Sequence, residues 1–432
     1  MRGSTMVMGG LVVTGWLVGC NTPTKAAPDV TPTPDDCDSS VRVPTGLLSG
    51  DPEALADGHA DVLGAAPTPL RVRYQWPAAN PARNAAFLWH TDVDTMATLL
   101  QFGPADGFPD NATTQEGGTF RYGGDVAGEG PYRIHEVKVC AGLEPNTTYR
   151  YRVGGEGAWS DVYSFTTPGD PGTFDTFRVA VAGDSRGAYT TWGTVVSHME
   201  THEPDFYMFS GDMVELGVFQ NEWDDWFDAA GDVFASKALV PTHGNHEFLS
   251  VHYFAQFSLP GNEEWFSIDY GPSTLLSLND TVRDLAHIET EQRAFIDETL
   301  SASVAPWRFA LHHQSAYATC STHGSDSNAR NAWSDLFESH GVQVVFAGHN
   351  HIYERSVPIS GGVEAAEGEG TVYLVTGGAG APLYSGTDPE WFGAVANPIE
   401  HYVIADVSPA GMDVVVYDLS DNVIDEFHVP AP

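Results

Sequence analysis

Two patterns of apolar and polar residues divide the chain. Between residues 46 and 168 the apolar residues come in short alternating runs, among them RVRYQW, AAFLWHT and TTYRYRVGG, and Gly, Pro, Asn and Asp separate these runs. Alternation with a period of two predicts half-buried β-strands, and many short strands with such turns are typical of a β-sandwich. We therefore predict an all-β domain over residues 46–168.

A second pattern follows the segment GDPGTFDT at residues 169–176, which we interpret as a linker. Apolar β-like runs now alternate with amphipathic segments. In FQNEWDDWF the residues Trp223 and Trp226 fall on one helical stripe, and NARNAWSDLFESHG has a similar pattern. Alternation of strands and helices predicts an α/β core, which we assign to residues 175–428.

The composition limits the classes of function. The chain has 432 residues, enough for two domains, and its 19 basic and 58 acidic residues give a net charge of −39. So negative a protein repels nucleic acid and anionic membrane surfaces, and we expect neither as a partner. An anionic substrate needs local positive charge in such a protein, and bound metal ions supply it.

The N-terminus has the features of an export signal. Arg2 precedes the apolar stretch MVMGGLVVTGWLVG, which is too short for a permanent membrane-spanning helix. It ends in LVGC, which resembles the bacterial lipobox and implies that residues 1–20 are a signal peptide and that Cys20 carries a lipid anchor. Residues 21–45 are rich in Pro, Thr and Asp and are predicted to be a tether. We expect the protein at the bacterial cell envelope with its domains outside the cytoplasm, and Asn21 favours the outer membrane.

Three further cysteines are Cys37, Cys140 and Cys320. Export permits a disulfide, but an odd count leaves at least one thiol unpaired, and the sequence does not assign the pair.

Five apolar runs each end in polar residues of the kind that bind metals. The carboxyl ends of the strands in α/β sheets are where sites form, because the loops there converge. In an extended chain residues i and i+2 face the same way, so His349 and His351 converge on one point. Two converging imidazoles indicate a metal site. The five strand ends are Gly183-Asp184, Gly211-Asp212, Gly244-Asn245-His246-Glu247, His312-His313 and Gly348-His349-Asn350-His351.

Taken in this order, these motifs resemble the calcineurin-like metallophosphoesterase superfamily, and GHNHIYERS is similar to the purple acid phosphatase branch. The resemblance covers residues from about 177 to 378. LEPNTTYRYRVGG followed by WSDVYSFTTP resembles the last strands of a fibronectin type III-like domain. The resemblance implies an α/β metallophosphoesterase core, with two β-sheets flanked by helices, preceded by an all-β fibronectin type III-like sandwich domain.

The resemblance also implies two divalent or trivalent metal ions, Fe, Mn or Zn. Asp212 would bridge both ions. The first ion would take Asp184 and His351. The second would take Asn245, His349 and one histidine of LHHQ.

Two adjacent histidines compete for that last position. His312 and His313 face opposite sides of the strand because strand side chains alternate. In the family a Trp often opens this strand, and the spacing from Trp307 to Tyr317 matches without a gap only if His313 is the ligand. We favour His313 and keep His312 as the alternative.

By the same resemblance, a hydroxide that bridges the ions attacks phosphorus without a covalent phosphoenzyme. The leaving alkoxide needs a proton donor, for which His246 is the first candidate and His323 the second. Asn245 and His246 are also predicted to bind the substrate. Arg186 is predicted to contact the phosphate, and an ion pair with a nearby carboxylate is the alternative.

The segment behind the histidines is expected to support them. Tyr353, Glu354 and Arg355 are predicted to hold the histidine loop through packing and a Glu–Arg bridge. The Gly-rich residues 376–384 are predicted to shape the rim of the pocket.

The chain departs from the family at the first ion. In purple acid phosphatases the second motif ends in a tyrosine, but GDMVE has Glu215 at that place, and Arg186 stands where non-purple relatives carry a histidine. Glu215 lies three residues beyond Asp212 and reaches the same ion if a helix begins there. We therefore include Glu215 among the metal ligands. The alternative is a solvated side chain or one paired with Arg186.

These observations predict an exported, lipid-anchored phosphatase with two metal ions that acts on small phosphomonoesters. Two alternatives remain open at this point. One is a phosphodiesterase of the same superfamily, and the other is a surface-tethered binding protein with a weakened site.

Overall fold

The computed structural model describes residues 37–41, 56–57, 61–122, 131–173, 176–281 and 284–432. The predicted signal peptide, Cys20 and most of the predicted tether lie outside the described residues. Within this part of the chain, no helix combines the length and the apolar character that crossing a bilayer requires.

The N-terminal domain is a sandwich of two antiparallel sheets, as the alternating pattern predicts. One sheet has the order β1-β6-β7-β3-β2, and the other has the order β10-β8-β4-β5 with β9 paired to β8. The strands are β1 (Ala56–Asp57), β2 (Leu70–Gln75), β3 (Ala85–Thr91), β4 (Leu99–Pro104), β5 (Thr113–Glu116), β6 (Gly118–Tyr122), β7 (Tyr132–Val139), β8 (Thr148–Gly155), β9 (Ala158–Trp159) and β10 (Tyr163–Thr166).

A disulfide closes this domain. It joins Cys37 to Cys140, which directly follows β7. Cys320 is a free, buried thiol. The structure thus assigns the pair that the sequence left open.

The second domain contains two larger sheets. The first has the order β13-β12-β11-β23-β24-β25 and the second has the order β14-β15-β16-β17-β21-β18-β22. A separate hairpin pairs β19 with β20. The strands are β11 (Phe177–Ala182), β12 (Phe206–Phe209), β13 (Leu239–Pro241), β14 (Phe266–Tyr270), β15 (Ser273–Ser277), β16 (Trp307–Gln314), β17 (Val344–Gly348), β18 (Tyr353–Ser356), β19 (Ile359–Ser360), β20 (Val363–Glu364), β21 (Val372–Thr376), β22 (Gly393–Asn397), β23 (His401–Ser408), β24 (Gly411–Asp418) and β25 (Val423–Pro430).

Helices cover these sheets. The amphipathic segments noted in the sequence form α2 and α6, and Gly341 beyond α6 has the positive φ of 63° that a left-handed cap needs. The helices are α1 (Tyr189–Glu200), α2 (Gln220–Ala230), α3 (Val233–Ser236), α4 (Val251–Gln256), α5 (Arg293–Ala302) and α6 (Ser327–Ser339), and a π-helical turn (His287–Gln292) precedes α5.

The two sheets of the second domain pack face to face. Leu311 and Phe346 belong to the buried cluster that also contains the first sheet, whereas Ala310 and Val345 belong to the cluster of α5 and α6. This alternation follows from the period of two along each strand. The domain therefore has two sheets in the middle and helices on the outside.

The sandwich and the α/β domain share one hydrophobic cluster. The ring of Trp76 lies 5.3 Å from that of Phe206 and 5.4 Å from that of Tyr270, measured between centroids. The Tyr151 hydroxyl donates a hydrogen bond of 2.5 Å to the carbonyl oxygen of Ala235. Because apolar burial is continuous across the boundary, the sandwich is fixed against the second domain.

Candidate metal centre

The predicted strand ends meet at one edge of the two central sheets. Strands β11, β12 and β13 run parallel in one sheet, and β16 and β17 run parallel in the other. Ligand atoms of Asp212, His313 and His349 all lie within 4.8 Å of one another, and so do those of Asp184, Asp212 and His351. The two sets of donors share Asp212, which is buried.

Asn245 completes the second set. Its Oδ1 lies 3.1 Å from Nε2 of His313, whose Nε2 is in turn 3.3 Å from Oδ1 of Asp212. The amide oxygen of Asn245 therefore faces the same point as the shared carboxylate.

The backbone at these positions explains why glycine precedes the donors. Asp184, Asp212 and His349 all have positive φ values, 60°, 55° and 67°, which non-glycine residues adopt rarely and mostly where the surrounding structure imposes them. A Cβ on Gly348 would lie 2.2 Å from Oδ2 of Asp184, and one on Gly244 would lie 2.2 Å from the backbone nitrogen of Asp212. The loops approach so closely that only glycine fits there.

The histidines present the tautomer that metal binding requires. Nδ1 of His313 donates to the carbonyl oxygen of Ser210 at 2.8 Å, and Nδ1 of His351 donates to that of Pro382 at 2.8 Å. A carbonyl only accepts, so the proton sits on Nδ1 and Nε2 keeps its lone pair when the ring is neutral. Metal-binding histidines usually have such a partner, and the donor set of imidazoles, carboxylates and an amide fits a divalent metal ion.

His312 faces the other side of β16, as the alternation along the strand requires. Its Nδ1 lies 2.8 Å from Oδ2 of Asp280, and both side chains are buried. Its ring packs edge-on against Trp333 of α6 at 5.5 Å. The geometry places His313, not His312, beside Asp212.

The pKa values of His313, Asp212 and His349 depend on one another because the three side chains lie close together. Burial lowers the pKa of His313, but the neighbouring Asp212 carboxylate outweighs burial and raises the pKa of His313 to about 10. Burial raises the pKa of Asp212, yet His313 brings it below its usual range. Burial and the positive charge of His313 lower the pKa of His349. Without metal, a proton on His313 thus partly neutralises the carboxylates, and a bound cation takes over that role.

A glutamate that the sequence analysis gave no role ties two of the donor loops together. Oε2 of Glu247 accepts from the backbone N–H groups of Asp212 at 2.9 Å and Gly244 at 2.6 Å, and Oε1 accepts from that of Met213 at 2.8 Å. Burial, followed by repulsion from Asp212, raises the pKa of Glu247. The only sequence signal was its place in the motif GNHE.

Glu215 lies apart from the clustered donors. No helix begins at Asp212, because α2 starts only at Gln220, so the helical spacing that would bring Glu215 to the ion is absent. Its carboxylate instead pairs with the Arg186 guanidinium at 2.7 Å and is 43% exposed. The geometry therefore corresponds to the alternative stated above, in which Glu215 pairs with Arg186.

Arg186 also faces the shared carboxylate. Its Nε lies 3.6 Å from Oδ2 of Asp212. Held between Asp212 and Glu215, the guanidinium provides positive charge at the edge of the centre.

Both candidate proton donors border the centre. Nδ1 of His246 donates to the Glu215 carbonyl at 2.6 Å, which leaves Nε2 at 4.0 Å from Oδ2 of Asp212. The ring of His323 lies 4.0 Å from that of His349, between centroids, and its Nε2 is 3.2 Å from the Tyr384 hydroxyl.

Tyr384 is a rim residue that the sequence analysis did not single out. Its ring stacks on that of His351 at 4.2 Å with an interplanar angle of 12°. It ends the Gly-rich segment 376–384, which was predicted to shape the rim.

The support behind the histidine loop differs from the predicted bridge. Glu354 accepts hydrogen bonds from the backbone N–H groups of Thr319 and Cys320, the latter at 3.0 Å. Arg355 instead pairs with Asp425 at 2.6 Å. Glu354 and Arg355 are neighbours on β18 and so face opposite sides of the sheet, which prevents a bridge between them.

The geometry predicts different outcomes for the two adjacent histidines. In His313→Ala we expect about half of the bound metal to be lost, because a direct ligand of one ion is removed. His312→Ala should keep the metal but lower stability, because the Asp280 carboxylate loses its buried partner. Elemental analysis and thermal melts of purified protein measure both effects. His428→Ala on β25, with a largely exposed ring, serves as the control. Equal metal loss in the His312 and His313 variants would contradict the assignment.

Glu247→Gln is expected to lower the free energy of unfolding by about 2–3 kcal/mol, measured on metal-free protein by denaturant titration. The reason is that an amide has one oxygen, so at least one buried N–H loses its acceptor. The matched control is Glu215→Gln, which removes a charge from a partly exposed pair and should cost less than about 1 kcal/mol. Equal losses in the two variants would show that the contacts of Glu247 do not hold the loops.

Comparisons with known proteins agree with this architecture. Residues 177–353 match the calcineurin-like phosphoesterase family, and residues 69–167 match the purple acid phosphatase N-terminal domain. Purple acid phosphatase 22 of Arabidopsis thaliana is 29% identical over 286 residues, which cover 61% of this chain and 62% of that protein. Acid phosphatase type 7 of Mus musculus is 29% identical over 289 residues, which cover 57% of this chain and 64% of that protein. The matched region thus spans less than two thirds of the length of these relatives.

A solved structure shares the fold. The purple acid phosphatase PPD1 from yellow lupin (Lupinus luteus) seeds aligns with a TM-score of 0.75 and 20% identity, over 84% of this chain and 74% of that chain. Strands β2 to β10 of the sandwich lie within residues 69–167, and the clustered donors from Asp184 to His351 lie within residues 177–353. The chain therefore contains a calcineurin-like phosphoesterase domain at residues 177–353 and the N-terminal domain of the purple acid phosphatases at residues 69–167.

Proposed function

We propose that the protein is a metal-dependent phosphatase that hydrolyses phosphomonoesters. The observation that carries this proposal is the pair of donor sets that share the buried Asp212. A bridging carboxylate between two sets of histidine and carboxylate ligands is the arrangement that two-metal hydrolysis of phosphoesters uses. The names of the relatives, purple acid phosphatase 22 and acid phosphatase type 7, support the same reaction.

The residues divide between two ions in this proposal. Asp184 and His351 would hold the first ion, and Asn245, His313 and His349 would hold the second. Asp212 would bridge them. Their nitrogen and oxygen donors suit Fe, Mn or Zn. When bound, two such ions activate water at neutral pH and offset the charge of the phosphoryl oxygens.

The chain's own side chains then orient the substrate. In a protein of net charge −39, the Arg186 guanidinium at 3.6 Å from the shared carboxylate is a cationic hydrogen-bond donor for a phosphoryl oxygen. The hydrogen bond from Arg186 to Glu215 already fixes the orientation of the guanidinium. Binding of the phosphoryl group therefore costs no further side-chain entropy at Arg186. Arg186 thus binds and orients the phosphoryl group.

A proton for the leaving alkoxide comes from a histidine at the rim. With Nδ1 of His246 held by the Glu215 carbonyl, the Nε2 side of the ring points toward the shared carboxylate and can carry the transferred proton. His323 occupies the opposite rim against His349 and is the second donor. Burial, followed by the charge of His351, lowers the pKa of His323. His246, whose Nε2 faces the shared carboxylate, is the first donor in this proposal.

We expect the purified protein to hydrolyse 4-nitrophenyl phosphate, to lose this activity with a chelator and to regain it with Mn²⁺, Zn²⁺ or Fe²⁺. His246→Ala should retain the metal and lower kcat by about 10²–10⁴-fold for an alkyl phosphate such as glycerol 2-phosphate, whose alkoxide needs a proton, but much less for 4-nitrophenyl phosphate, whose phenolate leaves unprotonated. Bis(4-nitrophenyl) phosphate is the parallel substrate. Faster turnover of the diester would favour a phosphodiesterase. The absence of metal-dependent turnover of both esters would favour a binding protein.

We further propose that the enzyme works outside the cytoplasm on a lipid anchor at Cys20. The LVGC motif and the disulfide between Cys37 and Cys140 support this location, since disulfides persist in oxidising compartments. The wild-type protein is then expected in the membrane fraction of bacterial cells, whereas Cys20→Ser should remain uncleaved or be misrouted. Cys320→Ser, which changes the free thiol, is the control. Unmodified wild-type protein in the medium would overturn the anchor.

A further inference from the structure

A cavity of about 420 Å³ lies beside the metal centre. Segment 318–325, Arg330 and segment 388–392 line it, and His323 is one of the lining residues. The cavity is no part of the donor clusters described above. Its size is within the range of pockets that bind small molecules.

His323 connects the cavity with the centre. The same ring that lines the cavity lies 4.0 Å from the ring of the donor His349. His323 therefore lies between the donor His349 and the cavity, and the cavity is within reach of a group bound at the donors.

One wall of the cavity is aromatic and ends in an exposed ring. The Arg330 guanidinium lies 5.3 Å from the centroid of Tyr317, the Tyr317 ring lies 5.2 Å from that of Phe392, and the Phe392 ring lies 5.6 Å from that of Trp391. Trp391 is 50% exposed, although tryptophan is usually well buried. About half of the Trp391 side chain is thus accessible, and an accessible indole can stack on a planar ring.

Hydrogen bonds between the two lining segments hold this wall in place. The N–H of Ser321 donates to the Gly386 carbonyl at 3.0 Å, and the N–H of Asp388 donates to the Thr319 carbonyl at 2.8 Å. Glu354 fixes the backbone at Thr319 and Cys320 from behind. The cavity is therefore formed before a ligand arrives, which lowers the entropic cost of binding.

The polar lining selects against further negative charge. Asp388 and Glu390 bring two exposed carboxylates, whereas Arg330 brings one guanidinium. Carboxylates accept hydrogen bonds from hydroxyl groups and repel anions. A neutral leaving group that carries hydroxyl groups and a planar ring matches this lining.

From these contacts we propose that the cavity binds the alcohol part of the substrate and selects a nucleoside, so that nucleoside 5′-monophosphates are preferred phosphomonoesters. The base stacks on Trp391, and the ribose hydroxyls donate to the carboxylates of Asp388 and Glu390. The proposal rests on the proposed phosphatase function and names a substrate class for it.

The contribution of the base to catalysis can be measured with two substrates that carry the same 5-phosphate ester of ribose. Adenosine 5′-monophosphate and ribose 5-phosphate differ in the planar ring, so the ratio of their kcat/KM values reports stacking. Trp391→Ala should lower this ratio about tenfold, because stacking of a base on an aromatic side chain has a comparable effect. Trp391→Phe should restore most of it. The matched control is Trp159→Ala in the N-terminal sandwich, which should leave the ratio unchanged. An unchanged ratio in Trp391→Ala would overturn the proposal.

Binding of the product tests the cavity without catalysis. In chelator-treated protein, calorimetry should detect binding of adenosine to the wild type and at least tenfold weaker binding to Trp391→Ala. No adenosine binding by a protein that hydrolyses 4-nitrophenyl phosphate would overturn the nucleoside proposal and leave the phosphatase proposal intact. Adenosine binding without metal-dependent hydrolysis of any ester would overturn the phosphatase proposal, and with it the assignment of this cavity to a leaving group.

Discussion

The hydrogen bonds from three backbone N–H groups to the buried Glu247 carboxylate hold the metal centre together. They join the loop after β12, which carries the shared Asp212, to the loop after β13, which carries Asn245. Loops with positive φ values and close glycine contacts are strained, and they persist because such contacts fix them on all sides. The donors are therefore in position before any ion binds, which is what a metal site of defined geometry requires.

The chain as a whole is strongly negative, whereas the proposed function needs positive charge at the metal centre. A net charge of −39 opposes binding of a phosphate ester, yet the proposed substrate would have to reach a cluster that itself contains Asp184 and Asp212. In the metal-free protein a proton on His313 offsets part of this charge, and Arg186 faces the shared carboxylate. Metal ions are the remaining source of positive charge, so affinity for metal and affinity for substrate are coupled in the proposed function.

The region around the centre separates two tasks. The edge of the two sheets holds the donors rigidly, whereas the segments near His323 and Trp391 form the wall of the adjacent cavity, which we propose as the site of the alcohol part of the substrate. This division is common in α/β enzymes, in which the sheet fixes the chemistry and the loops set the specificity. The wall is tied to the centre through Glu354, which follows the donor histidines in sequence.

The sequence by itself predicted the two domains' fold classes, the strands that end at the site and the convergence of the donors, because periodicity and strand-end position are local properties. It also favoured His313 over His312, because the spacing from Trp307 to Tyr317 matches the family without a gap only for His313. The sequence left the disulfide unassigned, offered the pairing of Glu215 with Arg186 only as an alternative, and did not indicate the contacts of Glu247 and Tyr384. All of these depend on which loops the tertiary structure brings together. The helical spacing that was expected to bring Glu215 to the ion is absent, because the chain after Asp212 forms no helix before α2. The tertiary structure decided these contacts because each joins residues that lie in different segments of the chain. The local pattern of apolar and polar residues does not show which of these segments meet in space.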